Sequence, residues 1–548
     1  MDWIKELKKQ VRGEVHIEPK ILDEYSRDAS LFEVDPQAVI YPKDARDVAN
    51  IVSFVNKIKK DQHDISITAR AAGTDMSGGP LNESIILGLT RFMNKFSVNV
   101  KEMVATVEPG VYYRDFEHVT LKYGLILPSY PASKNITALG GMIANNGAGE
   151  RTLRYGKTAD YVLKMKVVLA DGKEYAFEKL SAKELEKKLA KKDFEGEIYR
   201  KTYALLARNY ELVRDARPNV SKNSAGYALW DIWDREMGTF DLTRLFSGAQ
   251  GTLGIMTSAK LKLVKDKKHK KLAVIFLKNL DDMPHLVNKI LPLEPDGLET
   301  FDDKTLKLAL RFLPSIAKKA RENLFVFLLK FIPEALIVLR MLGLPKLVIL
   351  AEFAEDTEKE AEEKLNKLDK VLVEAHVHRR FFRNKKGARK YWIIRHESFN
   401  LLRHHVKNKR TAPFIDDFIV PPAKLTQFLP KVYKIMSEYG IEMTLAGHAG
   451  SGNFHIIPLM DLSREEEKAK IPAVADKVYD LVIKYGGSIT AEHNDGLIRS
   501  PYLEKMYGKK VMKLFEETKK IFDPQNIFNP GKKVNASLDY AMEHIHHE

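Results

Sequence analysis

Two hydrophobic periods run along this chain, and the places where one gives way to the other mark its elements. Ala38–Tyr41 is a continuous apolar run ended by Pro42, which reads as a short strand. After Asp44 the spacing becomes helical: Val48, Ile51, Val52, Val55 and Ile58 share one side, with Asp44 as the cap. Ile65–Ala69, Ser84–Leu87 and Val104–Glu108 read as further strands, Tyr113–Tyr123 as a helix. Lys164–Ala170 is an apolar strand, with a hairpin turn at Asp171-Gly172, and residues 181–215 are charged and helical. Strands here feed glycine-containing stretches: Arg70–Pro80, Ser129–Val168 and Leu245–Met256. From about 272 to 490 the texture changes. Strand-like runs, Leu272–Leu277 and Leu347–Phe353, alternate with long charged helices such as Glu355–Val373. Glycine and proline return over Gly486–Gly496 and Phe522–Gly531. The expected class is α+β: a helical segment over 1–30, a first unit over 31–265, a second over 266–490, and a closing segment over 491–548.

Charge and composition narrow the possibilities. The 548 residues hold 89 Lys and Arg against 74 Asp and Glu, a formal charge of +15. The lysine runs Lys187–Lys192 and Lys265–Lys271 lack interleaved aromatics and read as solvated loops, so no nucleic-acid partner is expected. Acidic substrates or an anionic membrane face suit the charge better. The absence of cysteine excludes disulfides, thiolate metal sites and a cysteine-held iron–sulfur cluster in this chain. The opening MDWIKELKKQ is amphipathic without the apolar stretch of a signal peptide, and the expected location is cytoplasmic, with the inner face of the cell membrane as the alternative. The most apolar segment, Leu324–Phe353, is interrupted by Lys330, Pro333, Glu334, Arg340, Pro345 and Lys346. It is expected to be a buried helix–turn–strand rather than a membrane-dipping segment.

Five motifs carry chemistry. ARAAGTDMSGGP (Ala69–Pro80) is a strand opening into small residues, a loop whose backbone N–H groups can cradle a pyrophosphate or simply form a tight turn. Pro128–Val162 is poor in core formers. Its Ser133, Thr137 and Asn145 can hydrogen-bond a ligand, and Gly140, Gly141, Gly147 and Gly149 allow close approach. In GHAGSGNFH, His448 and His455 flank a glycine turn that can bring both imidazoles to one point. In ITAEHNDG, Glu492 and His493 are adjacent after a β-like run, so one can face a metal and the other a reacting centre. Two His and one carboxylate suit Zn²⁺ or Mn²⁺ with positions left open. In YWIIRHESFNLLRHH (Tyr391–His405), Trp392, Arg395 and Phe399 share a helix face, and an inward Arg395 can hold a carboxylate; Arg410, before PFIDDFIVPP, is a second candidate. His404 and His405 read as surface residues.

Together these motifs resemble the FAD-dependent D-2-hydroxyacid dehydrogenases, which include D-lactate and D-2-hydroxyglutarate dehydrogenases and the glycolate oxidase FAD subunit, on the vanillyl-alcohol-oxidase/PCMH flavoprotein fold. The likeness runs in order over roughly residues 20–535. It implies a two-subdomain PCMH-type FAD-binding domain, an α+β cap over the substrate, and a closing segment that returns to the flavin. It implies non-covalent FAD held by Ala71, Ala72, Gly73, Thr74, Asp75, Met76, Ser77, Gly78, Gly79 and Pro80, by the Ser133–Gly149 stretch, by Gly254 and Ile255 of GTLGI, and by Asn529 of FDPQNIFNPGK. His448, His455 and Glu492 would bind a divalent metal, Zn or Mn. His493 would be the general base, and Arg395 and Arg410 would anchor carboxylate. The implied reaction oxidises a D-2-hydroxy acid such as D-lactate, D-2-hydroxyglutarate or a glycolate-like acid to the 2-oxo acid, with hydride passing to flavin N5. Electrons would leave to a quinone, a cytochrome or a separate Fe–S protein. Asn494 departs from the glycine usual there, and a side chain at that point could narrow the pocket. The alternatives are another enzyme of the same fold (alkylglycerone-phosphate-synthase-like or an aldonolactone oxidase) or a flavin subunit of a larger electron-transfer complex.

Overall fold

The computed structural model describes residues 2–314, 317, 323–384, 387–395 and 409–546. Three larger sheets organise them, beside two small ones of two and three strands. The first has Ile67–Arg70, Ile85–Gly88 and Ala38–Tyr41 in parallel, with Glu14–His16 antiparallel at the edge. The expected helical segment over 1–30 therefore contains a strand as well as the helices Asp2–Lys8 and Pro19–Ser26. Helix Ala45–Ile58 begins at Asp44, whose side chain accepts from the N–H groups of Arg46 and Asp47. Its buried Val48, Ile51, Val52 and Val55 join Ile40, Ile67, Ile85 and Leu87 in one core, the burial that fixes which way the sheet faces.

The second sheet is antiparallel: Phe96–Asn99, Val104–Val107, Ile255–Lys262, Val162–Val168 and Glu174–Glu178. Its last two strands meet at the predicted hairpin, where Gly172 takes φ +75°. The third sheet has seven antiparallel strands in the order His378–Phe382, His269–Leu277, Leu347–Glu355, Gly297–Asp302, Glu442–His448, Asn453–Met460 and Arg410–Thr411. Helix Glu358–Glu374 packs Ala361, Leu365, Leu368 and Leu372 inward behind a Thr357/Glu360 capping box.

Two expectations about the surface are corrected. The lysine runs are not simply solvated loops. Lys187 and Lys188 lie in the helix Ala182–Leu189, and Lys271 is buried in strand His269–Leu277, paired with Glu358 and Glu362. Alternation along a strand turns such a lysine inward, where it needs a carboxylate. Strand Leu347–Glu355 is buried as expected, but the helices ahead of it, Leu324–Leu329 and Ile332–Met341, leave apolar side chains exposed.

The closing segment returns to the first sheet. Ile67 N–H donates to Ile527 O at 2.7 Å, and Asn529 N–H donates to Ile67 O at 2.8 Å. The Asn529 amide also donates to Gly79 O (3.0 Å) and Gln250 O (2.7 Å). One side chain thus pins two glycine loops from opposite ends of the first half of the chain.

Candidate active site

A cavity of about 890 Å³ opens between the glycine loops and the seven-stranded sheet. One end is walled by small residues. Ala71, Ala72, Gly73, Thr74, Asp75, Met76, Gly79 and Pro80 come from the loop after Ile67–Arg70, and Ser133, Thr137, Gly140, Gly141, Asn145 and Gly147 from the long loop; Gly254 adds a third side. Asp75 shapes this wall: its carboxylate accepts from Asn145 Nδ2 (2.7 Å), Ser77 Oγ (2.6 Å) and Gly79 N–H (2.8 Å). Close packing explains the glycines behind it. A Cβ on Gly140 would sit 2.6 Å from Pro109 O. Ser77, Gly78, Gly149, Ile255 and Asn529, predicted with this set, do not line the cavity. Ser77, Gly149 and Asn529 are buried supports; Gly78 packs on Phe32 and Leu497, and Ile255 lies in the core.

The other end holds the histidines. His448 ends the strand Glu442–His448, and His455 lies in the paired strand Asn453–Met460, across a short 3₁₀ turn. Their ring centroids are 5.2 Å apart, and the His455 and His493 rings stack at 4.8 Å. All three Nε2 atoms face one oxygen, Glu492 Oε1, at 3.0 Å from His448, 3.3 Å from His455 and 3.9 Å from His493. Their Nδ1 atoms face acceptors: Glu299 Oε1 for His448 (2.6 Å), the Asp416 carbonyl for His455 (3.0 Å) and Asp416 Oδ2 for His493 (2.7 Å). An Nδ1 facing an acceptor carries a proton, which makes Nε2 the atom each ring can offer to a cation. Three Nε2 atoms then converge on a carboxylate, a set that suits a cation among them, either a proton between His448 and Glu492 or a metal ion.

The electrostatics favour an ionised Glu492 and a neutral His455 but a protonated His448. Burial works to raise the Glu492 carboxyl, but Lys222, whose Nζ donates to Oε2 at 2.5 Å, and His448 outweigh it and hold it well below the ordinary range. Burial pushes His455 down to about 4, favouring the neutral ring. Burial also works against a charge on His448, yet Glu299 and Glu492 raise it overall. The turn carrying Glu492 and His493 is fixed from beneath. Asp417 Oδ2 accepts from the N–H groups of Ala491, Glu492 and His493 at 2.7–2.8 Å and from Thr490 Oγ1 at 2.6 Å. Asp417, His455, Glu492 and His493 offer ligand atoms within 4.8 Å of one another.

The arginines divide. Arg395 is buried on the cavity wall, with Nη2 3.2 Å from Glu299 Oε2, so Glu299 joins it to His448. Arg410 is exposed on the edge strand Arg410–Thr411 and does not line the cavity, which removes it as an anchor. The predicted helix Tyr391–His405 is helical through 395; Phe399, His404 and His405 lie outside the described residues. Sequence reasoning missed Lys222, Glu299, Arg389, Asp416, Asp417 and Gln250. Of these, the adjacent acids inside the apolar PFIDDFIVPP carried a readable signal, because buried carboxylates must find donors. Asn494 does not narrow the cavity. It sits at φ +70°, and its amide donates away from the cavity to Gly248 O (2.9 Å) and Asn145 O (3.2 Å).

A wall of small residues beside a histidine–carboxylate cluster suits a bound cofactor. Residues 36–177 match the FAD binding domain, and residues 266–533 match the FAD linked oxidases, C-terminal domain. The chain thus carries both domains of the FAD-linked oxidases. It is 28% identical to D-2-hydroxyglutarate dehydrogenase of Escherichia coli over 92% of this chain and 49% of that protein. It is 27% identical to glycolate oxidase subunit GlcD of Bacillus subtilis over 93% of this chain and 91% of the subunit. To D-lactate dehydrogenase of Archaeoglobus fulgidus it is 26% identical, over 97% and 99%. The chain spans about half the length of the D-2-hydroxyglutarate dehydrogenases it matches. The fold is that of p-cresol methylhydroxylase (TM-score 0.67, 16% identity, 98% of this chain and 97% of that one) and of alkyldihydroxyacetonephosphate synthase (TM-score 0.64, 16%, 96% and 84%).

Proposed function

We propose that the chain oxidises a D-2-hydroxy acid to the 2-oxo acid at this cavity. The observation that carries the reading is the meeting of three imidazole Nε2 atoms at Glu492, which together with His455 and His493 lines the same cavity as the small-residue wall. The cavity volume and the bare backbone suit non-covalent FAD, held by the Ala71–Pro80 loop and the Ser133–Gly147 stretch. The donor set suits a divalent ion, Zn²⁺ or Mn²⁺, on His448, His455 and Glu492. When bound, the flavin supplies the electron-pair acceptor and the metal a Lewis acid that makes a hydroxyl more acidic.

The protein's own groups do the rest. His493 Nε2 takes the substrate hydroxyl proton while Asp416 holds its Nδ1–H and stabilises the imidazolium that forms. Arg395 and the exposed Arg389, both on the cavity wall, hold carboxylate; two cations suit a hydroxy diacid of the 2-hydroxyglutarate type. Lys222 and Glu299 set the charge and direction of Glu492 and His448. The electron acceptor in this reading is a separate quinone, cytochrome or Fe–S protein.

Removing the metal tests the arrangement. Dialysis of the FAD-loaded protein against a chelator should cut flavin reduction by D-2-hydroxyglutarate or D-lactate at least about tenfold, with Zn²⁺ or Mn²⁺ restoring it. Full-speed reduction in protein shown to be metal-free would leave the His–Glu cluster a structural feature.

A further inference from the structure

The short helix Gly496–Arg499 ends in a cation that is shut off from solvent. The Arg499 guanidinium uses two of its three nitrogens. Nη2 donates to Asp416 Oδ1, and Nη1 donates to Asn494 O at 3.0 Å. Among the described residues Nε has no partner. Asp416 is buried as completely. Taking an ion pair out of water is costly unless every donor and acceptor is met, and a leftover N–H adds to the cost. Apolar side chains of similar volume often serve stability as well or better. Stability therefore does not account for an arginine at this position, and its two contacts point to another role.

Both contacts lead to His493. The other oxygen of Asp416, Oδ2, faces His493 Nδ1 at 2.7 Å. Asn494 O belongs to the residue after His493, at the left-handed point of the turn. One planar guanidinium thus holds the carboxylate that aims the ring and the backbone that carries it. Asp417 holds the backbone N–H groups up to His493, and Arg499 takes over just beyond them. The start of the same helix is tied to the small-residue wall. Leu497 N–H donates to Ser77 O at 2.8 Å and Ile498 N–H to the same oxygen at 3.3 Å. A Cβ on Gly496 would sit 2.2 Å from Ser77 O, so the approach is close. This helix therefore runs from the Ala71–Pro80 loop to Asp416, and its length sets where His493 stands relative to that wall.

We propose that Arg499 is a positioning residue for the reaction, fixing His493 at the place and angle from which its Nε2 takes the hydroxyl proton. The proposal rests on the reading of His493 as the base. Arg499 does not line the cavity and acts through Asp416 and Asn494. Lysine replaces it only in part, because a single ammonium lacks the rigid fork that spans two acceptors.

Rapid-mixing flavin reduction by D-2-hydroxyglutarate or D-lactate, in FAD-loaded variants, tests this. Arg499→Lys should lower the limiting rate about tenfold and Arg499→Met about a hundredfold, with half-saturating acid concentration, FAD content and metal content within about twofold of wild type. In the Asp416→Asn background, Arg499→Met should slow reduction by no more than about a further threefold, because its main route to the ring is already cut; a merely structural role would multiply the two losses. A crystal structure of Arg499→Met should show the Asp416 carboxylate turned away from His493 Nδ1. Wild-type rates in both single variants, the full further loss in the Asp416→Asn background, or an Arg499→Met structure with Asp416 and His493 unmoved would overturn the proposal. Should Arg499→Met fail to take up FAD, Arg499→Lys decides alone: slowed reduction at full FAD content supports the role, and the wild-type rate overturns it. A wild type that no hydroxy acid reduces would overturn the reading of His493, and the role of Arg499 with it.

Discussion

At the scale of single residues, the site depends on carboxylates that hold its histidines. Asp416 uses its side chain on His493 and its carbonyl on His455, so one residue sets the proton position on both rings. Asp416→Asn keeps the shape but removes the charge that stabilises the imidazolium. The rate of flavin reduction should fall by about 10²–10⁴-fold, with FAD and metal content retained. Rapid-mixing absorbance checks this, and an unchanged rate would remove Asp416 from the proton path. The histidines and Glu492 were legible in the sequence because a glycine turn between strands forces two imidazoles together. Glu299 and Lys222 were not, because nothing local says that a carboxylate at 299 or a lysine at 222 will meet residues some 150 to 270 positions away. Arg410 shows the converse error: a cation beside a motif can lie on a sheet edge facing solvent.

At the scale of elements, the short strands and the amphipathic helix Ala45–Ile58 followed directly from hydrophobic period, because burial on one face is a local pattern. The hairpin at Gly172 followed from turn chemistry. What period could not show is whether an apolar helix faces a core or the outside, and 324–341 is the case where burial was expected and exposure found. Asn494 shows how an element junction tolerates a non-glycine. Its left-handed backbone is open to asparagine, and its amide repays the strain by tying the His493 turn to two flavin-wall loops. Asn494→Gly should keep the turn but lose the ties, lowering stability by about 1–2 kcal/mol. Asn494→Val adds β-branched strain at that φ and should cost about 3 kcal/mol or more. Chemical denaturation of the two variants gives the order; Val as stable as Gly would mean the turn is not held left-handed.

At the scale of the whole molecule, the closing segment decides stability because it binds the first sheet to the glycine loops. Lys532 in that segment is buried with Nζ on Leu81 O at 2.6 Å. Burial pushes its pKa down to about 7, against the pull of Glu83 and Asp28. The folded value lies below the unfolded one, near 10.5, so its contribution is fully present above the unfolded value and is lost as pH falls through about 7. Between pH 9 and 7 the wild type should lose about 2–3 kcal/mol relative to Lys532→Met, and below pH 7 the two should run parallel. Urea titrations across that range show it; parallel curves throughout would mean the amine is not neutralised by burial.

The claim that joins these scales is that one cavity binds FAD and removes both a proton and an electron pair from a 2-hydroxy acid. Its most direct test is anaerobic mixing of the FAD-loaded protein with the D and L forms of lactate and 2-hydroxyglutarate, followed by flavin absorbance. The D acids should bleach the wild type, and His493→Ala should stay yellow with all four. Bleaching of His493→Ala at the wild-type rate, or a wild type that binds FAD yet is reduced by none of them, would contradict the account.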